Sequence, residues 1–365
     1  MANTPAWSMH FSVIPYLNDL LHVAATQAIS DIHLEPMTDH WQIRCRRDGL
    51  LFLYETLPIA AGLSLLSRIK VLANCDIAEK RLAQDGSFQD PASQRDFRVS
   101  TCPTIRGEKA VLRCLNPQQS QLNLTDLGMS HEQFNLLQAM LNKPNGLIIV
   151  TGPTGSGKTV TLYSALLALQ NITVNIASVE DPVEIALPGL NQIQVNLKAG
   201  LTFSTILRTL LRQDPDIIMI GEMRDLATID IALHAAQTGH LVLSTLHTNS
   251  AAEAIIRLLQ MGVAPYQLSS SIRLIIAQRL IRKLCEHCQG KICTQCQQGY
   301  TGRTGIYELL PMTDALSALI DQHPNRQQLQ QYVHAQGIKT LWQHGLEKIA
   351  QGLTTETELR RVAEA

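Results

Sequence analysis

The chain has 365 residues, 45% hydrophobic and 17% charged, which suffices for two or three domains with sizeable cores. A net charge of −1 and an aromatic content of 4% argue against a broad basic, base-stacking surface, so no direct nucleic-acid contact is expected. No uncharged apolar run approaches the roughly 18 residues of a membrane-spanning helix, and MANTPAWSMHFSVIPYLNDLL lacks a basic stretch leading into an apolar one; no signal peptide is expected, and the protein reads as cytoplasmic.

Residues 1–117 read as one α/β unit. Ile14 to Gln27 has the pattern of an amphipathic helix, and residues 40–55 read as two strands around the hairpin dipeptide Asp48-Gly49. A helix follows over 62–75, and residues 96–115 read as two further strands joined at Arg106-Gly107. The polar, aperiodic NPQQSQLNLTD makes residues 118–130 the expected linker. From 131 to 365 the elements alternate. HEQFNLLQAMLN is helical, with Phe134, Leu137 and Leu141 on one face. Strands are expected at LIIV, NITVNIASV, DIIMIG and HLVLSTLH, and helices over 160–170 and at STILRTLLRQ, ATIDIALHAAQTG and SAAEAIIRLLQMG. Near-continuous apolar strands alternating with helices imply a parallel sheet covered on both faces, hence an α/β fold. Residues 313–365 read as helical, with Thr355 and Glu358 spaced as a capping box for the last helix.

The stretch GPTGSGKT has the spacing Gly152-x-x-x-x-Gly157-Lys158-Thr159 of a phosphate-binding loop, and it sits between an expected strand and an expected helix. Gly152, Gly155 and Gly157 let the backbone curl so that successive N–H groups face an anion. The helix start adds its dipole. Gly152, Pro153, Thr154, Gly155, Ser156, Gly157, Lys158, Thr159 and Val160 are the candidate nucleotide contacts, with Lys158 on the β/γ-phosphates and the Thr159 hydroxyl on Mg²⁺. Hydrolysis also needs a carboxylate at a neighbouring strand end. DPDIIMIGE offers Glu222, and SVEDPVE offers Glu180, Asp181 and Glu184. His240 and His247 flank the next strand and are candidates to sense the γ-phosphate, or else structural.

Cys45, Cys75, Cys102 and Cys114 are scattered and read as small hydrophobes without disulfides. Cys285, Cys288, Cys293 and Cys296 form two C-x2-C knuckles able to close a tetrahedral Zn²⁺ shell; free thiols or a redox pair are the alternatives.

Taken together, these segments resemble the secretion ATPases of bacterial type II secretion and type IV pilus assembly. GPTGSGKT is similar to that family's Walker A loop, ASVEDPVEIALPGLNQIQVN to its Asp box, LRQDPDIIMIGEMRD to its Walker B region and TGHLVLSTLHTNSA to its His box. AISDIHLEP, IRCRRDGLL and RLAQDGSF resemble its N-terminal, PAS-like domain, and TGRTGIYELL a segment beyond its zinc motif. The resemblance implies a PAS-like domain followed by a RecA-like P-loop ATPase domain with a small tetracysteine zinc motif at 285–296 and C-terminal helices at 313–365. It implies that Glu222 is the Walker B carboxylate, that Glu184 helps polarise water, and that Glu180, Asp181, His240 and His247 complete the Asp and His boxes. It further implies a homo-hexamer with ATP at subunit interfaces, completed by N-terminal-domain arginines. Arg98 and Arg113 match best; Arg81, Arg95 and Arg106 are further candidates. The implied partner is a polytopic inner-membrane platform protein, so membrane association is expected only through partners. A tetracysteine site favours pilus assembly over retraction. Three departures stand out: a four-residue loop between the knuckles, Ala227 where Glu is frequent, and a start near the PAS-like domain that predicts no extra N-terminal docking domain. The short form also resembles DNA-uptake ATPases. A nucleic-acid translocase and a non-hydrolysing scaffold on the same core are the remaining readings.

Overall fold

The computed structural model describes residues 12–115, 123–294 and 296–364. The chain forms two compact units, Met1–Pro117 and Gln118–Ala365. The first contains α1 (Val13–Thr26), β1 (Ile29–Pro36), β2 (Trp41–Arg47), β3 (Leu50–Leu57), α2 (Ile59–Leu72), β4 (Gln84–Gln89), β5 (Asp96–Thr104) and β6 (Gly107–Cys114). Its six strands form an antiparallel sheet in the order β3-β2-β1-β6-β5-β4. Helix α1 buries Leu17, Leu20, Leu21 and Ala24, the i, i+3, i+4, i+7 stripe of a one-faced helix. These residues share a core with Ile32, Ile43, Leu65, Ile69, Phe97, Val99 and Leu112. Side chains of opposite parity, among them Arg98 and Arg113, which face each other across β5 and β6, occupy the other sheet face. An ion pair is buried with the core: Lys70 Nζ lies 2.9 Å from both Glu108 oxygens and 2.7 Å from the Glu79 carbonyl. Strands β1 and β4, absent from the sequence reading, carry charged or polar residues at alternate positions.

In the second unit a 3-10 turn at Leu124–Leu127 precedes α3 (His131–Leu141). The expected linker is therefore not open chain throughout. Its residues 118–122 lie outside the described residues, but Leu124 and Leu127 are buried, and the Leu127 carbonyl accepts the Tyr307 hydroxyl at 2.8 Å. There follow β7 (Gly146–Thr151), α4 (Lys158–Leu169), β8 (Ile176–Glu180), β9 (Asn191–Gln194), α5 (Phe203–Leu210), β10 (Ile217–Ile220), α6 (Leu226–Gln237), β11 (Leu241–Leu246), α7 (Ala251–Gln260) and α8 (Pro265–Ser271). The chain ends with β12 (Ile272–Leu284), β13 (Tyr300–Pro311), α9 (Asp314–Asp321), α10 (Arg326–Ala335), α11 (Leu341–Ala350) and α12 (Glu356–Val362). The seven strands run β13-β12-β7-β11-β10-β8-β9, parallel except for β13. Alternate strand residues enter two cores. Leu147, Ile149, Ile218, Ile220 and Val242 pack with α5, α6, α7 and the C-terminal helices. Ile148, Val150, Ile217, Met219 and Leu243 pack with α3 and α4. The sheet is thus covered on both faces.

The 13-residue strand β12 and its partner β13 have no counterpart in the sequence reading. Gln278, Arg279 and Arg282 interrupt the apolar run IRLIIAQRLIRKL, yet all three are buried. The capping box at Thr355 is realised on one side only. Thr355 Oγ1 accepts the Glu358 N–H at 3.2 Å, but the Glu358 carboxylate turns inward and accepts from Arg282 N, Nε and Nη2 at 3.0, 3.1 and 2.9 Å, and from Arg361.

Candidate functional site

The loop 152–157 leaves the carboxyl end of β7 and enters α4 at Lys158. A Cβ on Gly152 would lie 2.6 Å from both the Gln278 carbonyl and Ser156 Oγ, so only glycine lets the loop sit on β12. Gly155, at φ +80°, has open space around it and is needed for its left-handed backbone alone. Lys158 is buried, and its Nζ turns back onto the Gly152 and Pro153 carbonyls at 2.8 and 3.2 Å. Burial pushes its ammonium down to about 8, against the pull of Glu222 and with help from Arg279. Ser156 Oγ is buried without a hydrogen-bond partner. A buried cation and an orphaned hydroxyl inside a glycine cradle fit a phosphate. Pro153, Thr154 and Thr159 are exposed, Thr159 in the first turn of α4, and Val160 is half-buried against the α4-side core.

Parallel register pairs Thr151 with Leu246, and Ile220 with both Val179 and Ser244, so all four strands end at the same sheet edge. The residues just beyond them therefore gather beside the loop. Glu222 follows β10. Its side chain is 15% exposed and is paired with Arg224 and, at 3.4 Å, with His247 Nε2. Burial and Lys158 push the His247 imidazole down, favouring its neutral form, while Glu222 opposes them. Glu180 ends β8 and is buried. Asp181 is exposed and Glu184 half-buried on the loop that follows. His240 is not brought to this group. It precedes β11, with its Nδ1 3.0 Å from the Ala235 carbonyl, and the six residues of that strand carry it roughly 20 Å from His247 at about 3.3 Å per residue. A strand delivers its two ends to opposite sheet edges, so two histidines flanking one strand cannot share one site within a subunit.

Several residues of the site escaped the sequence reading. Buried Arg279 donates to the Gln278 carbonyl at 2.9 Å and to the carbonyl and Oδ1 of Asn249 at 3.0 and 3.2 Å, binding the loop after β11 to the strand under Gly152. Thr151 Oγ1 accepts the Thr248 N–H at 2.9 Å. Gln278 Oε1 accepts from Thr161 Oγ1 at 2.7 Å, fixing β12 to α4. These partners lie 30, 97 and 117 positions apart in the chain, and no local pattern announces them. In the N-terminal unit, Arg113 Nε lies 3.1 Å from Asp31 Oδ1.

The four clustered cysteines sit at the tip of the β12–β13 hairpin. Their sulfurs all lie within 4.8 Å of one another, with Cys285–Cys293, Cys288–Cys296 and Cys293–Cys296 at 3.9, 3.6 and 3.5 Å. A tetrahedral metal with bonds of about 2.3 Å to sulfur sets sulfur–sulfur edges of about 3.8 Å. The donor set therefore fits a thiolate-held metal. Local N–H groups, that of Cys288 first, pull the Cys285 thiol down to about 6, whereas desolvation pushes Cys288 up to about 12. Of the scattered cysteines, Cys45 and Cys114 are buried, Cys75 is half-buried and Cys102 is exposed, unlike the hydrophobe expected there. No helix among the described residues is long and apolar enough to cross a membrane.

A phosphate loop at the carboxyl edge of a parallel sheet, faced by a strand-end glutamate and a histidine, defines a P-loop ATPase. The Type II/IV secretion system protein family matches residues 8–361, and the chain belongs to that family. It is 48% identical to a protein transport protein HofB homolog of Escherichia coli K12, over 95% of this chain and 80% of that one. It is 44% identical to the type IV pilus assembly ATPase PilB of Acinetobacter baylyi, over 96% of this chain and 66% of that one. Among solved structures, the pilus retraction motor PilT with bound ADP superposes with a TM-score of 0.68 at 27% identity, over 96% of this chain and 97% of that one. The protein is an ATP-hydrolysing enzyme of the secretion and pilus class.

Proposed function

We propose that the chain is the motor ATPase of a fibre-assembling machine, hydrolysing ATP in a homo-hexamer and passing the motion to a polytopic inner-membrane platform protein. The observation that carries this reading is the convergence of Lys158, Glu222 and His247 at one sheet edge. Residues 152–160 bind the phosphates. Thr159, with Glu222 behind it, would hold Mg²⁺, which neutralises phosphate charge when bound. Glu184 and Glu222 orient the water that attacks the γ-phosphate, Asp181 completes the acidic loop, and His247 reports loss of the phosphoryl group through Glu222. Arg98 and Arg113 of a neighbouring subunit supply positive charge to the transferring group. Residues 1–117 act as the PAS-like domain and 131–365 as the RecA-like domain. Cys285, Cys288, Cys293 and Cys296 hold Zn²⁺ as a closed structural site, which supports assembly over retraction. The family and the named relatives support pilus growth or protein secretion, with DNA uptake as the variant outcome.

Turnover per chain is measured as protein concentration rises, beside Glu222→Gln. Turnover that climbs with ring assembly and is lost in the variant supports the motor. A flat, near-zero rate with intact ATP binding refutes hydrolysis by the chain alone and supports a nucleotide-holding scaffold.

A further inference from the structure

The sequence reading puts Glu180 among the catalytic acids, but its surroundings give it a different task. Its side chain is 3% exposed. Tyr163 Oη donates to Oε2 at 2.5 Å, and Ser178 Oγ and Gln192 Nε2 donate to Oε1 at 2.6 and 3.1 Å. Three donors on one buried carboxylate hold it still. The network then reaches the loop that carries Glu184. The Tyr163 oxygen accepts the Glu184 N–H at 3.3 Å. Gln192, while holding Glu180, also donates to the Ile185 carbonyl at 3.0 Å and accepts the Leu187 N–H at 2.6 Å. Tyr163 itself stands on α4, four residues or about one turn after Thr159. One buried hydroxyl therefore touches three things at once: the helix that begins at the phosphate loop, the end of β8, and the backbone of Glu184.

We propose that Tyr163 and Glu180 form a positioning hub that ties the phosphate-loop helix to the Glu184 loop, so that the seating of α4 on nucleotide sets where the Glu184 carboxylate stands. The inference rests on the assignment of Glu184 to water orientation. Neither hub residue touches the reacting atoms; both act through Glu184. A misplacement of about 1 Å at such a carboxylate lowers the rate about 10²-fold while leaving phosphate binding in place.

The test uses the full chain under ring-forming conditions. ATP turnover and the affinity for a non-hydrolysable ATP analogue are measured for Tyr163→Phe, Glu180→Gln, the double variant and Glu184→Gln, each with a thermal melt. Both single variants are expected to lose about 10- to 100-fold in kcat, with KM and analogue affinity within about twofold. The double variant should be no slower than the worse single, the non-additivity of residues acting as one unit. Tyr163→Phe with a lowered melt and normal kcat overturns the hub. So does Glu180→Gln falling orders of magnitude below Tyr163→Phe, because Glu180 would then act on metal or water directly. A normal rate in Glu184→Gln overturns the assignment of Glu184 and this route with it, whereas an inactive Glu184→Gln beside a normal Tyr163→Phe overturns the hub alone.

Discussion

Lys158 makes nucleotide affinity a steep function of pH in a range where few side chains titrate. In the nucleotide-free site burial holds its ammonium down at about 8, with Glu222 and Arg279 as the charges that face it. An amine closed on phosphates returns to its ordinary value of about 10.4 or above, because the anion now favours the charged form. The sign follows from linkage: between these two values the complex binds more protons than the free protein, so affinity falls as pH rises. At pH 7 the free lysine is already charged and the correction is negligible. At pH 9 only about one lysine in eleven is charged in the free site, so Kd rises about tenfold, or about 1.4 kcal/mol, and binding takes up about 0.9 proton. Calorimetry with ADP between pH 7 and 9, in buffers of different ionisation enthalpy, reads both quantities. Lys158→Arg should bind more weakly throughout but with a flat profile, since a guanidinium does not titrate there. A wild-type Kd constant to within twofold over this range, with no proton uptake, refutes the reasoning.

The two loop glycines should fail differently. Gly152→Ala drives a methyl into a β12 carbonyl and should abolish measurable nucleotide binding while lowering stability by about 1–3 kcal/mol; Gly155→Ala meets open space, adds only backbone strain of about 1–2 kcal/mol, and should still bind. Glu358→Ala leaves Arg282, 9% exposed, without its carboxylate and should lower stability by about 3–5 kcal/mol, read as a Tm drop of roughly 6–20 °C. Lys70→Met strands the Glu108 carboxylate in the N-terminal core and should destabilise by a similar about 3–5 kcal/mol, with Lys70→Met/Glu108→Leu recovering most of it in chemical denaturation. Metal analysis should find one zinc per chain, lost in Cys288→Ser; undiminished zinc in that variant counts against the four-sulfur site.

What could be read from sequence was what is local. The phosphate loop is a contiguous run whose glycines are dictated by its own backbone, and Glu222 and Glu180 were placed by apolar strands that end beside them. Between the two readings of His240 the same logic cannot choose, because spacing does not say which end of a strand meets the phosphate loop, and His240 stands at the other end. For β12 there is no local signal: Arg279 and Arg282 interrupt its apolar run, and the partners that satisfy them, Asn249 and Glu358, lie 30 and 76 positions away. Burial of a charged side chain is decided by such partners, and they become visible only once the chain has folded.

The position of β12 has a consequence for how the site works. It lies next to β7, its Gln278 carbonyl forms the floor under Gly152, and its Arg279 grips Asn249, two residues from His247. The far end of the same strand carries Arg282, held by Glu358 of the last helix, and then the cysteine knuckle. One 13-residue strand therefore connects the floor of the phosphate loop, the Glu358 contact of the last helix and the cysteine cluster. The buried Arg282–Glu358 contact fixes the last helix to the stem of the hairpin, and a metal held by the four sulfurs would cross-link its tip. A metal held there would do no chemistry on ATP; it would brace one end of the strand whose Gln278 carbonyl floors the phosphate loop.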